Sequence, residues 1–86
     1  MLLENVLESL RIFIKDEIIE DGDVDLQNDL PLLEYGIIDS LAIVSVLAFI
    51  DQTFDVQIPE DEIIPKNFET LNAIANLVIE NRPSHS

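Results

Sequence analysis

An 86-residue chain with 18 acidic side chains against 4 basic ones carries a formal charge of −14. That balance argues against nucleic acid, whose phosphates it would repel, and favours partners with basic docking surfaces; it also simply keeps a small protein soluble. A hydrophobic content of 48% is too high for a disordered acidic tail, the length suits one small domain with a modest core, and the lack of cysteine removes disulfides, cysteine zinc sites and a thiol nucleophile.

Met1-Leu2-Leu3-Glu4-Asn5 has no basic region and does not read as a signal peptide. The longest apolar run, Leu41 to Ile50, is interrupted by Ser45 and falls far short of the ~20 residues of a membrane helix, so the expected compartment is the cytoplasm, with no membrane contact. Leu3, Val6, Leu7, Leu10, Phe13, Ile14 and Ile18 recur at three- and four-residue steps, which predicts a first helix with one apolar face. Glu4, Glu8, Arg11 and Lys15 line a charged stripe beside it, with Glu8 and Arg11 suitably spaced to pair. Ile12 falls outside the apolar face and has no assignment. Glu20-Asp21-Gly22-Asp23 ends the helix.

Asp21, Asp23 and Asp25 imitate the opening of a calcium loop, but Leu26 and Leu32 stand where such a loop needs Gly and Glu. They read as solvated loop residues. From about Asp21 to Asp39 the chain is long for a structureless loop. Leu26, Leu30, Leu32 and Leu33 are its expected anchors, and Pro31 suits the first position of a helical turn.

The central stretch is Gly36-Ile37-Ile38-Asp39-Ser40-Leu41. Gly36 permits a tight bend. Asp39 is a good N-cap, which puts Ser40 in the first turn, where a phosphate on its hydroxyl would meet the positive end of the helix. Read blandly, Ser40 is an ordinary helix-start serine. The second helix is predicted from about Ser40 to Thr53, with Ile43, Val46, Leu47, Ile50 and Phe54 on its core face. Leu41, Val44, Ser45, Ala48, Phe49 and Gln52 fall around the other side, which is unusually apolar for a surface; alternatively the domain's own loop covers Val44 and Phe49. Asp55 takes the turn after Phe54, and tolerates a left-handed conformation better than most residues. Val56 and Ile58 point inward, Pro59-Glu60-Asp61-Glu62-Ile63 reads as a short third helix closed by Pro65, and Asn67-Phe68-Glu69-Thr70 opens the last helix, capped by Asn67 or Thr70. Leu71, Ile74, Ala75 and Val78 form its inward face. Residues 1–80 make the domain, and 81–86, with the sole histidine His85, a disordered tail.

Asp39-Ser40-Leu41 at the head of an apolar helix, with Gly36 upstream and Phe54 and Ile58-Pro59-Glu60-Asp61-Glu62 downstream, resembles the phosphopantetheine-attachment motif of acyl and peptidyl carrier proteins. The resemblance covers the chain from the first helix through Ile79. It implies an all-α fold: a small four-helix bundle of three longer helices and a short third one, with a long ordered loop between helices 1 and 2. It also implies that Ser40 is the attachment residue for 4′-phosphopantetheine, with Gly36, Asp39 and Leu41 shaping that site. Partners would dock on the second helix, here through Leu41, Val44, Ala48 and Phe49, with Ile37 or Ile38 contributing from the loop. Fatty-acid carriers commonly have acids along this helix; Ser45 and Gln52 stand there instead, which favours apolar docking to other enzymes. The family usually has glycine where this chain has Asp55, and its short third helix moves to admit cargo.

No histidine, cysteine or metal cluster accompanies Ser40 in sequence, so nothing would activate its hydroxyl as a nucleophile. The expected protein is a non-catalytic, free-standing, monomeric carrier. A phosphopantetheinyl transferase would modify Ser40 from coenzyme A, and an adenylating or other loading enzyme would attach the cargo. Pro31-Leu32-Leu33-Glu34-Tyr35-Gly36-Ile37 and Leu71-Asn72-Ala73-Ile74 are similar to stand-alone peptidyl carriers of secondary metabolism. The cargo that resemblance implies is aminoacyl, prolyl in its most specific form, with a flavin-dependent, acyl-CoA-dehydrogenase-like enzyme as a further partner. Fatty or polyketide acyl groups and D-alanine are the alternatives in the same class. An unmodified acidic helical module that binds a basic partner, and a small hydrolase, are alternatives of other classes.

Overall fold

The computed structural model of the chain describes residues 2–19 and 25–82. Among the described residues three α-helices carry the fold: α1 (Leu3–Phe13), α2 (Ser40–Phe54) and α3 (Leu71–Glu80). A π-helical segment, Ile14–Ile19, prolongs α1, and two 3₁₀ turns, Glu60–Glu62 and Pro65–Phe68, lie between α2 and α3. The described residues contain no strand, in keeping with an all-α bundle.

Val6, Leu7, Leu10 and Ile14 of the first stripe are buried, and Phe13 and Ile18 pack half-buried against them, whereas Leu3 is exposed at the helix start. In the π segment the ladder runs from residue i to i+5, so Ile18 and Ile19 both come over Ile14, and both pack on the core. The expected end of this helix at Glu20-Asp21-Gly22-Asp23 lies outside the described residues, as do Asp21 and Asp23 of the calcium-loop imitation.

α3 lies against α1 and buries Leu71, Ile74, Ala75, Leu77 and Val78. α2 contributes Val46 and Ile50 to the core, with Ile43, Leu47 and Phe54 half-buried beside them. The described part of the loop before α2, residues 25–39, is packed into the core and hydrogen-bonded to its neighbours. Leu26, Leu32 and Ile38 are buried at 1%, 0% and 2% exposure, and each buried aliphatic side chain contributes about 1.5–3 kcal/mol. Its backbone is tied at several points. Leu32 N–H donates to the Glu69 carbonyl at 2.7 Å, and Asn72 N–H to the Asn28 carbonyl at 3.0 Å. Arg11 fastens it from the other side: Nε donates to the Leu26 carbonyl at 2.9 Å, Nη2 to Asn28 Oδ1, and Nη1 to Glu8 Oε2 at 2.7 Å. The Glu8–Arg11 pair anticipated from their spacing is thus one arm of a three-way clamp.

The end of α2 follows the sequence closely. Asp55 adopts φ 56°, ψ 43° as its left-handed cap, and its N–H donates to the Asp51 carbonyl. Beyond it the structure departs from expectation. The short third helix is a 3₁₀ turn, closed by Glu62 N–H to Pro59 O at 2.9 Å and Ile63 N–H to Glu60 O at 3.1 Å; three residues are too few to sustain an α-helical ladder. Pro65, expected to close that element, instead opens the second turn, where its missing N–H leaves no bond unmade. Of the two caps the sequence offered for the last helix, Asn67 and Thr70, the structure uses Thr70, so the helix starts at Leu71. Thr70 is its cap, with Oγ1 accepting from Ala73 N–H at 3.0 Å. Asn67 serves another purpose: its Nδ2 donates to the Glu62 carbonyl at 2.7 Å, while Asn81 Nδ2 donates to Glu62 Oε1 at 3.1 Å. One glutamate thereby joins the first turn to the end of α3.

Two measurements check this account. Arg11→Met keeps the aliphatic stem but removes the donors to Leu26, Asn28 and Glu8, so denaturant unfolding is expected to show a loss of about 2 kcal/mol. Asp55→Gly removes left-handed strain and an acid from the negative end of α2, and is expected to stabilise by about 1 kcal/mol; an unchanged unfolding midpoint would contradict the strain argument.

Candidate phosphopantetheine site

Ser40 is exposed and is the first residue of α2. The local sequence dictates this placement from both sides. Gly36 takes φ +72°, a conformation open to glycine and strained for other residues. The turn it closes is held by Tyr35 N–H to Pro31 O and Gly36 N–H to Leu33 O, both at 3.1 Å. Ile37 and Ile38 N–H groups then both point to the Leu32 carbonyl, at 2.8 and 3.3 Å. Asp39 stops the extended chain (φ −133°, ψ −169°) and caps the helix, its Oδ1 accepting from Ala42 N–H at 2.9 Å. That carboxylate is turned to the backbone rather than to the serine hydroxyl. The N–H groups of Ser40 and Leu41 lie at the end of the ladder, where a helix has no internal partner for them.

These features fit a phosphodiester on the hydroxyl. Ser40 is an exposed residue at the positive end of a 15-residue helix whose first turn contains no acid. Open space also surrounds the bend, since nothing lies within 4 Å of a Cβ built on Gly36. The group would supply a thiol, which this cysteine-free chain otherwise lacks.

Beyond the serine, α2 presents Leu41 at 80% exposure and Val44 at 63%, followed by exposed Ser45, Ala48 and Gln52. Steps of three and four residues place them in one strip. Two residues expected on this docking surface are placed differently. Ile38 is a core residue at 2% exposure, because the bond to Leu32 O turns it under the loop; only Ile37 remains half-exposed. Phe49 is half-buried, stacked on Phe13 of α1 with ring centroids 4.3 Å apart, and meets Phe54 edge-on at 5.9 Å. Its cover is thus helix α1 and not a loop. Tyr35, 66% exposed beside Gly36, and Ile64, 44% exposed after the first 3₁₀ turn, add exposed apolar surface that helical periodicity does not announce. An aromatic residue next to a turn glycine was the available signal for Tyr35; for Ile64, the position before Pro65 disfavours a helix that could bury it.

Among the described residues no helix is long and apolar enough to cross a membrane, and no group of three or more His, Cys, Asp or Glu side chains could hold a metal ion.

A helical bundle that exposes a serine at the capped start of an apolar helix is the architecture of a carrier domain. Residues 13–78 match the family model described as the phosphopantetheine attachment site, and the chain belongs to that family. It is 41% identical over 59 residues to a probable acyl carrier protein PigG of Serratia sp. (strain ATCC 39006), a match covering 67% of this chain and 68% of the relative. It also superposes with a TM-score of 0.74 and 45% identity on a chain of a crystal structure described as that of an FAD-dependent dehydrogenase, covering 80% of this chain and 97% of that one. As a family member the protein is a non-catalytic carrier. It takes 4′-phosphopantetheine covalently on a serine from a phosphopantetheinyl transferase, and works with enzymes that load it.

The cap is the testable part of this geometry. Asp39→Ala leaves the Ala42 N–H unpaired and is expected to lower stability by about 1 kcal/mol in urea unfolding, whereas Asp39→Ser retains an acceptor and most of the stability.

Proposed function

We propose that Ser40 is the serine that receives 4′-phosphopantetheine, that the thioester cargo is an aminoacyl group, prolyl in its most specific form, and that a flavin-dependent dehydrogenase is among the partners. The observation that carries the attachment site is the exposure of Ser40 at the first position of α2, behind the Asp39 cap. The chain's own contribution is positional. Asp39 and Ile38 hold the start of α2 in place, the solvent-facing hydroxyl is free for a transferase to engage, and the rest of the domain stays packed while the arm moves. Tethering raises the effective concentration of the cargo at each enzyme that docks the carrier.

Two observations support the partner, while the cargo rests on the resemblance of residues 31–37 and 71–74 to stand-alone peptidyl carriers. The docking strip beginning at Leu41 and Val44 is apolar and carries Ser45 and Gln52 in place of acids, which favours a partner reached by apolar contact. The chain matched in the structure described as a dehydrogenase is covered over 97% of its length by 80% of this 86-residue protein. It is therefore shorter than the present chain and of carrier size, well below the ~100–150 residues of an ordinary domain. An enzyme of that kind would oxidise the bound acyl group by removing a proton from the carbon beside the thioester carbonyl and a hydride from the next carbon, the hydride passing to FAD.

Incubation with coenzyme A and a broad-specificity phosphopantetheinyl transferase is expected to add one phosphopantetheine at Ser40, seen by peptide mass spectrometry, and none to a folded Ser40→Ala variant. Prolyl-loaded protein is then expected to bleach the flavin of a partner dehydrogenase. A folded wild-type chain that gains no cofactor would instead favour an unmodified acidic binding module, and a modified chain that accepts fatty acyl groups but no amino acid would overturn the cargo alone.

A further inference from the structure

A groove of about 360 Å³ runs between α1 and α2 on the side away from Ser40, with Ile12, Phe13, Asp16 and Glu17 on one wall and Phe49 and Thr53 on the other. Ile12, which the apolar stripe of α1 does not use, is 51% exposed here. The stacked rings of Phe13 and Phe49 are only half-buried. Phe49 stands about two and a half turns beyond Ser40 on α2, hence on the opposite side of that helix. The attachment serine and the groove can therefore be engaged at the same time.

We infer that this groove is a second docking surface, and that its occupant is an arginine-bearing segment of a partner protein. The charged side chains lining it are both acidic, and no basic residue lines it. Aromatic walls beside carboxylates suit a guanidinium, which is planar, stacks on rings and pairs with carboxylates. The aliphatic stem of the arginine would lie on Ile12. A second copy of this chain is a poor occupant. Each copy carries a charge of −14 and has 4 basic side chains, and one of these, Arg11, is committed to Glu8, Leu26 and Asn28. Like charge of that size opposes self-association. The groove would thus anchor the carrier to one protein while the serine on the far side serves another.

The test is a titration of ¹⁵N-labelled protein with an amphipathic helical peptide of leucine and arginine, and with the same peptide carrying citrulline for arginine. Saturable shifts are expected at Ile12, Asp16, Glu17, Phe49 and Thr53. Citrulline, or an Asp16→Asn/Glu17→Gln double variant, is expected to weaken binding about fivefold, as loss of a cation–ring contact and an exposed ion pair would. Ile12→Ser should weaken it as well, while Glu80→Gln, an exposed acid outside the groove, should leave it unchanged. Circular dichroism verifies that each variant is folded. At saturating peptide, transferase modification of Ser40 is expected to continue at its original rate. Shifts that follow Leu41 and Val44 instead, shifts spread evenly over the acidic residues, equal binding of the citrulline peptide, or a block of Ser40 modification would each overturn the inference.

Discussion

The peptide group of Leu32 holds the molecule's functional end together. Its N–H reaches the Glu69 carbonyl just before α3, and its carbonyl receives the N–H groups of Ile37 and Ile38 just before α2, while its side chain is wholly buried. One residue of a loop thereby fixes the separation between the starts of two helices. Buried backbone groups must find partners, and here the partners are shared so that the loop cannot shift without breaking the approach to Asp39 and Ser40. Arg11 closes the same loop from the side of α1. The serine can stand exposed because the loop immediately behind it is tied.

Much of this was legible from the chain alone, and the reasons are local. Helical spacing placed Val6, Leu10, Ile50 and Ile74 in the core, and the chemistry of caps and turns placed Gly36, Asp39 and Asp55 in the conformations they adopt. Failures occurred where a tertiary partner decided the outcome. Phe49 sits at the edge of the α2 core face, and only the position of Phe13, distant in sequence, turns it inward. Ile38 gave no periodic signal, because its burial follows from a backbone bond to Leu32. Between Pro59 and Thr70 the sequence predicts helix, but prolines at the start of each turn and the use of Asn67 by Glu62 divide the segment into 3₁₀ turns. Side-chain chemistry alone could not choose between Asn67 and Thr70 as cap.

The surface divides its tasks by polarity. From Ser40 to Ala48 the exposed residues of α2 are apolar or neutral, between the exposed acids Asp39 at its cap and Asp51 in its last turn. An overall charge of −14 would draw basic surfaces in over a distance of roughly a Debye length, about 8 Å at physiological salt, and under the proposed docking mode the neutral strip would form the final contact.

The Glu62 junction has a bearing on how the protein ages. Two amide side chains, Asn67 and Asn81, donate to its carbonyl and carboxylate, and asparagine is among the thermolabile residues. Hydrolysis of either amide exchanges a donor for a carboxylate. At Asn81 the new carboxylate would face that of Glu62, turning attraction into repulsion. Such a change would loosen the segment between residues 60 and 68, while the main-chain bonds at Leu32 would be left intact.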